Sequence, residues 1–306
     1  MSKRTATIIV ITVFFGCVLS CATAAWGKTN SELPAKTQGS FAPVRVTFNP
    51  EGNLVVSEYK RGLIVTLDRS TLKTLNWFPI DGKPLGIAYF GHYLLVGNET
   101  RNCLEAYREN GSKLPYYGKA AQKPLDIAVD NGLKRIFVVD GEAKAVKVLS
   151  KRGKLLFSIP AAAPDDNILT NPTGIAVDAA KKEIYVSDYG DQAKSIYARV
   201  QIFDYSGNLT GTIEGKEGMF GQRFSRPQGL AVDGKGHLLM VECYAAEIMV
   251  FDLLSGAIVK TFGEYGSEPG QLRLPLDIVF DAGTKELFIT NNRCSRIEVF
   301  RRVRGF

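Results

Sequence analysis

The chain has 306 residues, 45% of them hydrophobic, with 38 Lys and Arg against 31 Asp and Glu. That length and apolar content suffice for a full core without covalent staples, and a net charge of +7 is too mild to mark a nucleic-acid binder. Five cysteines with no C-x-x-C-H run exclude a disulfide framework and a covalently attached haem.

The N-terminus opens with Ser2-Lys-Arg4 and an apolar run from Ala6 to Leu19. The run is short of the ~20 residues a spanning helix needs. Ala22-Thr-Ala24 supplies an A-x-A cleavage pattern, so residues 1–24 read as a signal peptide and the body as exported, periplasmic or extracellular. Val18-Leu-Ser-Cys21 resembles a lipobox in which Leu19 fits poorly, and lipidation of Cys21, anchoring the protein to the membrane, is the alternative. An uncleaved anchor is the third reading. Removing residues 1–24 takes away Lys3, Arg4 and no acid, so +7 becomes +5. Residues 25–41 read as a linker or as a segment that completes the last repeat.

From residue 42 onward the chain repeats. Pro43, Pro84, Pro124, Pro172, Pro227 and Pro275 each introduce an apolar strand, a turn and a second apolar strand. Pro124-Leu-Asp-Ile-Ala-Val-Asp130, Pro172-Thr-Gly-Ile-Ala-Val-Asp178 and Pro227-Gln-Gly-Leu-Ala-Val-Asp233 show the likeness. A period of this size denotes one supersecondary unit whose copies must stack to bury their faces. Strand A follows the proline. A Gly- or Asn-rich turn comes next, such as Asn49-Pro-Glu-Gly-Asn53 or Asp233-Gly-Lys-Gly236, with the chemistry of a hairpin. Strand B is apolar, as in Ile136-Phe-Val-Val139. Strand C alternates, as in Arg199-Val-Gln-Ile-Phe203, and strand D resembles Ile258-Val-Lys-Thr-Phe262. Short strands, even spacing and turn punctuation indicate an all-β chain. Six units of four antiparallel strands predict a six-bladed β-propeller over residues 42–306. A solenoid would need polar capping repeats, and none is present. The last unit runs out after strand C, which leaves residues 25–41 as the candidate for ring closure.

The stretch Phe262-Gly-Glu-Tyr-Gly-Ser-Glu-Pro-Gly-Gln-Leu272 before Pro275, and the run Arg199-Val-Gln-Ile-Phe-Asp204, closely resemble NHL repeats. The resemblance spans residues 42–301 and fades in the first two copies, where Arg45 and Tyr89-Phe90 depart from it. It implies a propeller that binds a protein or peptide partner. NHL-type amidating lyases use several histidines on zinc, whereas His92 and His237 fall in A–B turns of the second and fifth units and cannot converge. Pro227 to Tyr244 is also similar to the stretch of gluconolactonase-type propellers that carries their essential aspartate. This chain has Gln228 there, with Val44, Leu85, Leu125, Thr173 and Leu276 as counterparts. A neutral amide is no general base, and Leu gives a hard cation such as calcium no side-chain ligand.

Two rings of polar positions emerge from the register. Strand B ends at Glu58, Asn98, Asp140, Asp188, Glu242 and Asn291. Such residues either bond loop amides, as the NHL resemblance implies, or line one channel mouth as a shared ion or ligand site. Strand A begins at Arg45, Gly86, Asp126, Gly174, Gly229 and Asp277, where glycine is the usual residue of the resembled family. Arg45 and Asp277 belong to units that become neighbours on closure. They are expected to pair as an exposed or half-exposed bridge of ~0–1 kcal/mol, or to serve binding. The fourth unit carries six extra residues within Tyr189 to Tyr197, including Asp191, on the same face. Inserted loops on a rigid scaffold often carry function. Cys103 reads as a small buried hydrophobe, and a Cys243–Cys294 bridge is disfavoured by the spacing of neighbouring strand ends. The C-terminal arginines 293, 296, 301, 302 and 304 read as edge-strand charge or as docking for an acidic partner or membrane surface. The expectation is thus a monomeric binding scaffold without cofactor, its working face formed by both rings and the 189–197 loop. A divalent-metal hydrolase at the same mouth is the rival.

Overall fold

A computed structural model describes residues 41–115, 117–160, 169–217 and 221–301. The expected signal peptide, Cys21, most of the 25–41 segment and Arg302 and Arg304 lie outside these residues. The first blade comprises β1 (Pro43–Phe48), β2 (Leu54–Glu58), β3 (Leu63–Leu67) and β4 (Thr74–Pro79). The second holds β5 (Pro84–Phe90), β6 (Tyr93–Asn98) and β7 (Cys103–Tyr107). The third holds β8 (Pro124–Asp130), β9 (Arg135–Asp140), β10 (Ala145–Ser150) and β11 (Leu155–Ile159). The fourth has β12 (Pro172–Asp178), β13 (Glu183–Asp188), β14 (Arg199–Asp204) and β15 (Leu209–Glu214), followed by a small hairpin of β16 (Lys216–Glu217) and β17 (Gly221–Gln222). The fifth has β18 (Pro227–Val232), β19 (His237–Glu242), β20 (Glu247–Asp252) and β21 (Ile258–Phe262), and the sixth β22 (Pro275–Asp281), β23 (Glu286–Asn291) and β24 (Arg296–Phe300). Within every blade, sequential strands pair antiparallel. The chain is a six-bladed β-propeller.

All six prolines open a strand, where their missing N–H costs no ladder bond. Directly after each comes a register irregularity, between Pro43/Arg45, Pro84/Ile87, Pro124/Asp126, Pro172/Gly174, Pro227/Leu230 and Pro275/Asp277. Such a bulge re-aims side chains at a strand end, and here it falls at the strand-A ring.

Strand B is apolar on both faces because each face meets a different neighbour. Leu238 and Met240 pack toward the fourth blade with Tyr185 and Val200, whereas Leu239 and Val241 pack toward the sixth with Ile278 and Leu287. Six apolar clusters result, one per blade interface. The cluster joining Val46, Val56 and Val65 to Phe288 and Ile297 closes the ring, and Phe41 packs against it. Each fully buried Leu, Ile or Phe contributes about 1.5–3 kcal/mol, so the interfaces between blades carry the stability of the fold.

Two blades depart from the expected four strands. Among the described residues the sixth holds three strands and ends at β24. The second stops at β7, with only a bridge between Tyr107 and Lys113 beyond it. Leu114 still donates to the Ala106 carbonyl at 2.8 Å. Beyond Pro115 the Leu104 amide donates to the Gly118 carbonyl at 3.0 Å, so backbone bonding to β7 resumes there without a regular ladder.

Candidate functional site

The strand-B end residues are fully buried; five tie the loop entering their blade to the B–C turn, and Asn291 bonds the entering loop. Asp188 accepts from the amides of Thr170, Asn171 and Gly190 at 2.7, 2.8 and 2.9 Å. Asp140 takes those of Gln122, Lys123, Glu142 and Ala143. Glu242 takes Ser225, Arg226, Tyr244 and Ala245. Glu58 accepts from Ala42 and Arg61, Asn98 from Arg101, and Asn291 from Arg273 while donating to the Gln271 carbonyl. Their oxygens satisfy backbone donors that would otherwise be stranded under loops.

The strand-A ring behaves differently. Arg45 is 4% exposed, and its guanidinium donates to the carbonyls of Leu125 at 3.2 Å, Leu276 at 3.1 Å and Thr173 at 2.5 Å. Those acceptors belong to the third, sixth and fourth blades, so the side chain leaves the first blade and crosses the channel to the blade opposite. Asp126 lies 3.4 Å from Nε and Asp277 3.5 Å from Nη1. The expected exposed bridge between Arg45 and Asp277 is therefore a buried three-membered cluster, because the bulges turn all three side chains onto the axis. Each carboxylate also clamps the next blade: Asp126 accepts the Ile175 amide at 3.0 Å, and Asp277 accepts the Val46 amide at 2.8 Å across the closing seam. Thr290 Oγ1 donates to the Val44 carbonyl and Asn292 to that of Pro43 at the same seam. Burial pushes the Asp277 carboxyl up to about 7 against the pull of Arg45, with Asp126 adding repulsion. Asp126 is raised too, burial again being the first cause. Two carboxylates sharing one guanidinium leave excess negative charge, which favours proton uptake.

Glycine fills the ring where a neighbour intrudes. A Cβ on Gly86 would stand 2.7 Å from the Cα of Asp126, and one on Gly229 would meet Asp277 directly. Sequence reasoning missed a third ring, one residue before the strand-B ends. Ser57 Oγ accepts the Arg45 amide, Ser187 Oγ accepts that of Gly174 and donates to the Gln228 carbonyl, and Thr290 Oγ1 accepts that of Asp277. The signal was available as a small hydroxyl inside an otherwise apolar strand.

Above the arginine cluster the channel widens into a cavity of about 530 Å³. It runs from Asp126 and Asp277 past Ile87, Ala128 and Val177 to the A–B turns at Asn49, Gly91 and Asn131. Of the expected site residues, only Asp126 and Asp277 line it, and it leads to the face opposite the 189–197 loop.

On the strand-B-end face the 189–197 insertion forms an ordered turn. Asp191 caps a short 3-10 segment, Gln192–Lys194, through the Ala193 amide, and its amide and carbonyl pair with Ile196. Gly190 adopts φ +69°, and a Cβ there would press on the Tyr197 carbonyl at 2.6 Å. Tyr189 supports the Arg226 guanidinium 3.6 Å from its ring centroid, and Arg226 also lies 5.7 Å from the Tyr244 ring. Arg273 stands 5.6 Å from the Tyr265 ring, and Lys83 sits over Tyr59 at 5.5 Å. Tyr244 and Tyr265 are 68% and 67% exposed. Between the fifth and sixth blades Cys243, Tyr244, Tyr265, Arg273, Leu274 and Arg293 line a hollow of about 200 Å³. Cys103, Cys243 and Cys294 are all free thiols. Cys103 is half-buried rather than buried, its Sγ 3.8 Å from Glu105 Oε1. His237 pairs with Asp233 at 2.8 Å within its own turn.

No family model matches the sequence. A segment of 142 residues, 46% of the chain, is 26% identical to Protein brain tumor of Drosophila melanogaster and spans 12% of that protein's length. Among solved structures the chain is similar to Kuenenia stuttgartiensis hydrazine synthase, with a TM-score of 0.63 and 14% identity over 89% of this chain and 99% of that one. It is likewise similar to virginiamycin B lyase from Staphylococcus aureus, with a TM-score of 0.57 and 16% identity over 88% of this chain and 87% of that one. At these identities the likeness establishes the fold.

Proposed function

We propose that the chain is an exported propeller of NHL type that acts as a non-catalytic binding scaffold for a protein or peptide partner of the cell envelope. Cleavage after Ala24 releases it, and lipidation at Cys21 is the competing fate, which the mass of the mature N-terminus distinguishes. The observation that carries the binding role is the pair of exposed tyrosines, Tyr244 and Tyr265, beside arginines stacked on aromatic rings. Tyr and Arg are the residues that concentrate binding energy at protein interfaces, since both offer large rigid area and directed donors. The 189–197 turn sits on that face and supplies Tyr189 as the support for Arg226. The rival hydrolase would place a divalent cation on the channel axis, and the Arg45 guanidinium holds that position with the carbonyls and carboxylates of its surroundings. A fixed cation there opposes a second one.

The test is capture from envelope extract by the immobilised mature chain, with partners identified by mass spectrometry. Tyr244→Ser with Tyr265→Ser, and separately a 189–197 loop shortened by six residues, are expected to lose the specific partner. Retention by both variants would place binding elsewhere. Calorimetric titration with calcium and zinc addresses the rival, and a saturable heat abolished by Asp126→Asn would restore it.

A further inference from the structure

Several arginines at the strand-B ends already hold a carboxylate. Arg61 pairs with Glu58, Arg101 with Asp81, Arg199 with Asp188 and Arg296 with Glu298. Arg226, Arg273 and Arg293 form no ion pair among the described residues. Among the described residues the Arg273 guanidinium meets the Ser267 hydroxyl, at 3.4 Å, and the Tyr265 ring. Arg226 is held by two tyrosine rings. An aromatic ring orients a guanidinium without neutralising it, so the edge N–H donors stay available. Arg273 and Arg293 line the same 200 Å³ hollow, with Tyr244 and Tyr265 beside them and Leu274 and Cys243 completing it. The Cys243 thiol is pushed up to about 11 by burial and by Glu242, so it stays uncharged and adds no competing anion.

We infer that this hollow is a carboxylate-recognition pocket: it receives an acidic side chain or the terminal carboxylate of a partner peptide, with the flanking tyrosines covering the adjacent apolar atoms. The assignment rests on the binding-scaffold reading and specifies the partner's chemistry. Charge complementarity selects an acidic occupant, because uncompensated arginines converge there and planar guanidinium donors match a carboxylate in two-point geometry. The size of the hollow suits one side chain and its neighbours.

The test uses fluorescein-labelled peptides of alternating glutamate and leucine, the matching glutamine–leucine peptide, and a single-stranded oligonucleotide of equal charge, read by anisotropy at low and high salt. The glutamate peptide should bind the mature chain at least tenfold more tightly than the glutamine peptide and weaken as salt rises. Arg273→Gln with Arg293→Gln should weaken it about tenfold or more. Lys181→Gln with Lys235→Gln, exposed in the A–B turns of the opposite face, should leave it unchanged at the same net charge. Neither arginine carries an ion pair, so the double variant should melt like wild type. Equal binding of the glutamate and glutamine peptides, equal loss in the lysine control, or tighter binding of the oligonucleotide at the same arginines would overturn the assignment. If the tyrosine variants lose the envelope partner while the glutamate peptide fails to bind, the face is retained and the carboxylate chemistry falls. Peptide binding that survives the tyrosine variants with partner capture intact removes the face itself.

Discussion

Replacing Arg45 with Met keeps most of the side-chain volume and deletes the cation. Three carbonyls and two carboxylates lose their partner, and the arginine and both aspartates are only 4–6% exposed. Breaking a buried ion pair by removing one partner costs about 3–5 kcal/mol. For a domain of this size the melting temperature should fall by roughly 10 °C. The pH dependence is the sharper signature. Asp277 is protonated in the native state up to about 7, and the unfolded carboxyl releases its proton near its ordinary value of 3.8. Between those limits the native state holds more protons, so this group's contribution to stability declines as pH rises. Deleting Arg45 removes the one influence that lowers both carboxyls, and Asp126 and Asp277 move further up. The penalty in Arg45→Met should therefore be smaller at pH 5, below the value near 7 to which Asp277 is pushed, than at pH 8. Urea unfolding followed by circular dichroism at both pH values measures it. The triple variant Arg45→Met, Asp126→Asn, Asp277→Asn should recover much of the loss and flatten the pH profile. A cost below about 1 kcal/mol at pH 8, in the range of a surface pair, would refute the buried-cluster reasoning. So would a cost equal at the two pH values.

Asp188→Ala should cost about 2–4 kcal/mol in urea unfolding, since three buried amides lose their acceptor; Asp188→Asn, which keeps one acceptor oxygen, should cost about half. Tyr205 donates to Asp130 at 2.9 Å across the third and fourth blades, so Tyr205→Phe should lose roughly 1 kcal/mol without altering the circular dichroism spectrum. The Cys243 thiol, buried and raised to about 11, should resist iodoacetamide at pH 8 in the native protein and react after denaturation, as peptide mapping will register; equal rates in both states would contradict its burial.

The repeat was legible because its parts are local. A proline at each strand start, glycine and asparagine at the A–B turns, and an apolar strand B are fixed by backbone requirements within a dozen residues. The same locality explains why the strand-B acids could be aligned, and their use by loop amides follows from strand-end geometry. The second blade's missing strand was less visible, because the segment after β7 keeps backbone bonds at Leu114 and Gly118 without a continuous register. The Arg45 cluster was only half legible. The three departures from glycine could be seen, and so could the adjacency of Arg45 and Asp277 on closure. Their burial could not, since it depends on bulges that direct Arg45, Asp126 and Asp277, from three different blades, onto one axis. The arginine–tyrosine contacts were hidden further still. Tyr189 of the fourth blade meets Arg226 of the fifth only because consecutive blades are rotated about the channel, and a one-dimensional register contains no such rotation.

The two ends of the channel have been put to different uses. At the cluster level the guanidinium already donates to three carbonyls, and both carboxylates accept backbone amides, so the polar capacity there is consumed in holding four blades together. The cavity above it is walled largely by the strands that make the blade interfaces, where changing a side chain alters packing as well as chemistry. On the strand-B-end face the backbone is pinned from beneath by buried acids, which frees the outward side chains from structural duty. Tyr244 and Tyr265 project from turns anchored by Glu242 and by the Leu272 backbone bonds. Rigid backbone under exposed aromatic and cationic side chains is the arrangement that lowers the entropic cost of binding. The buried acid ring thus serves recognition indirectly, by holding still the loops that present the tyrosines and arginines.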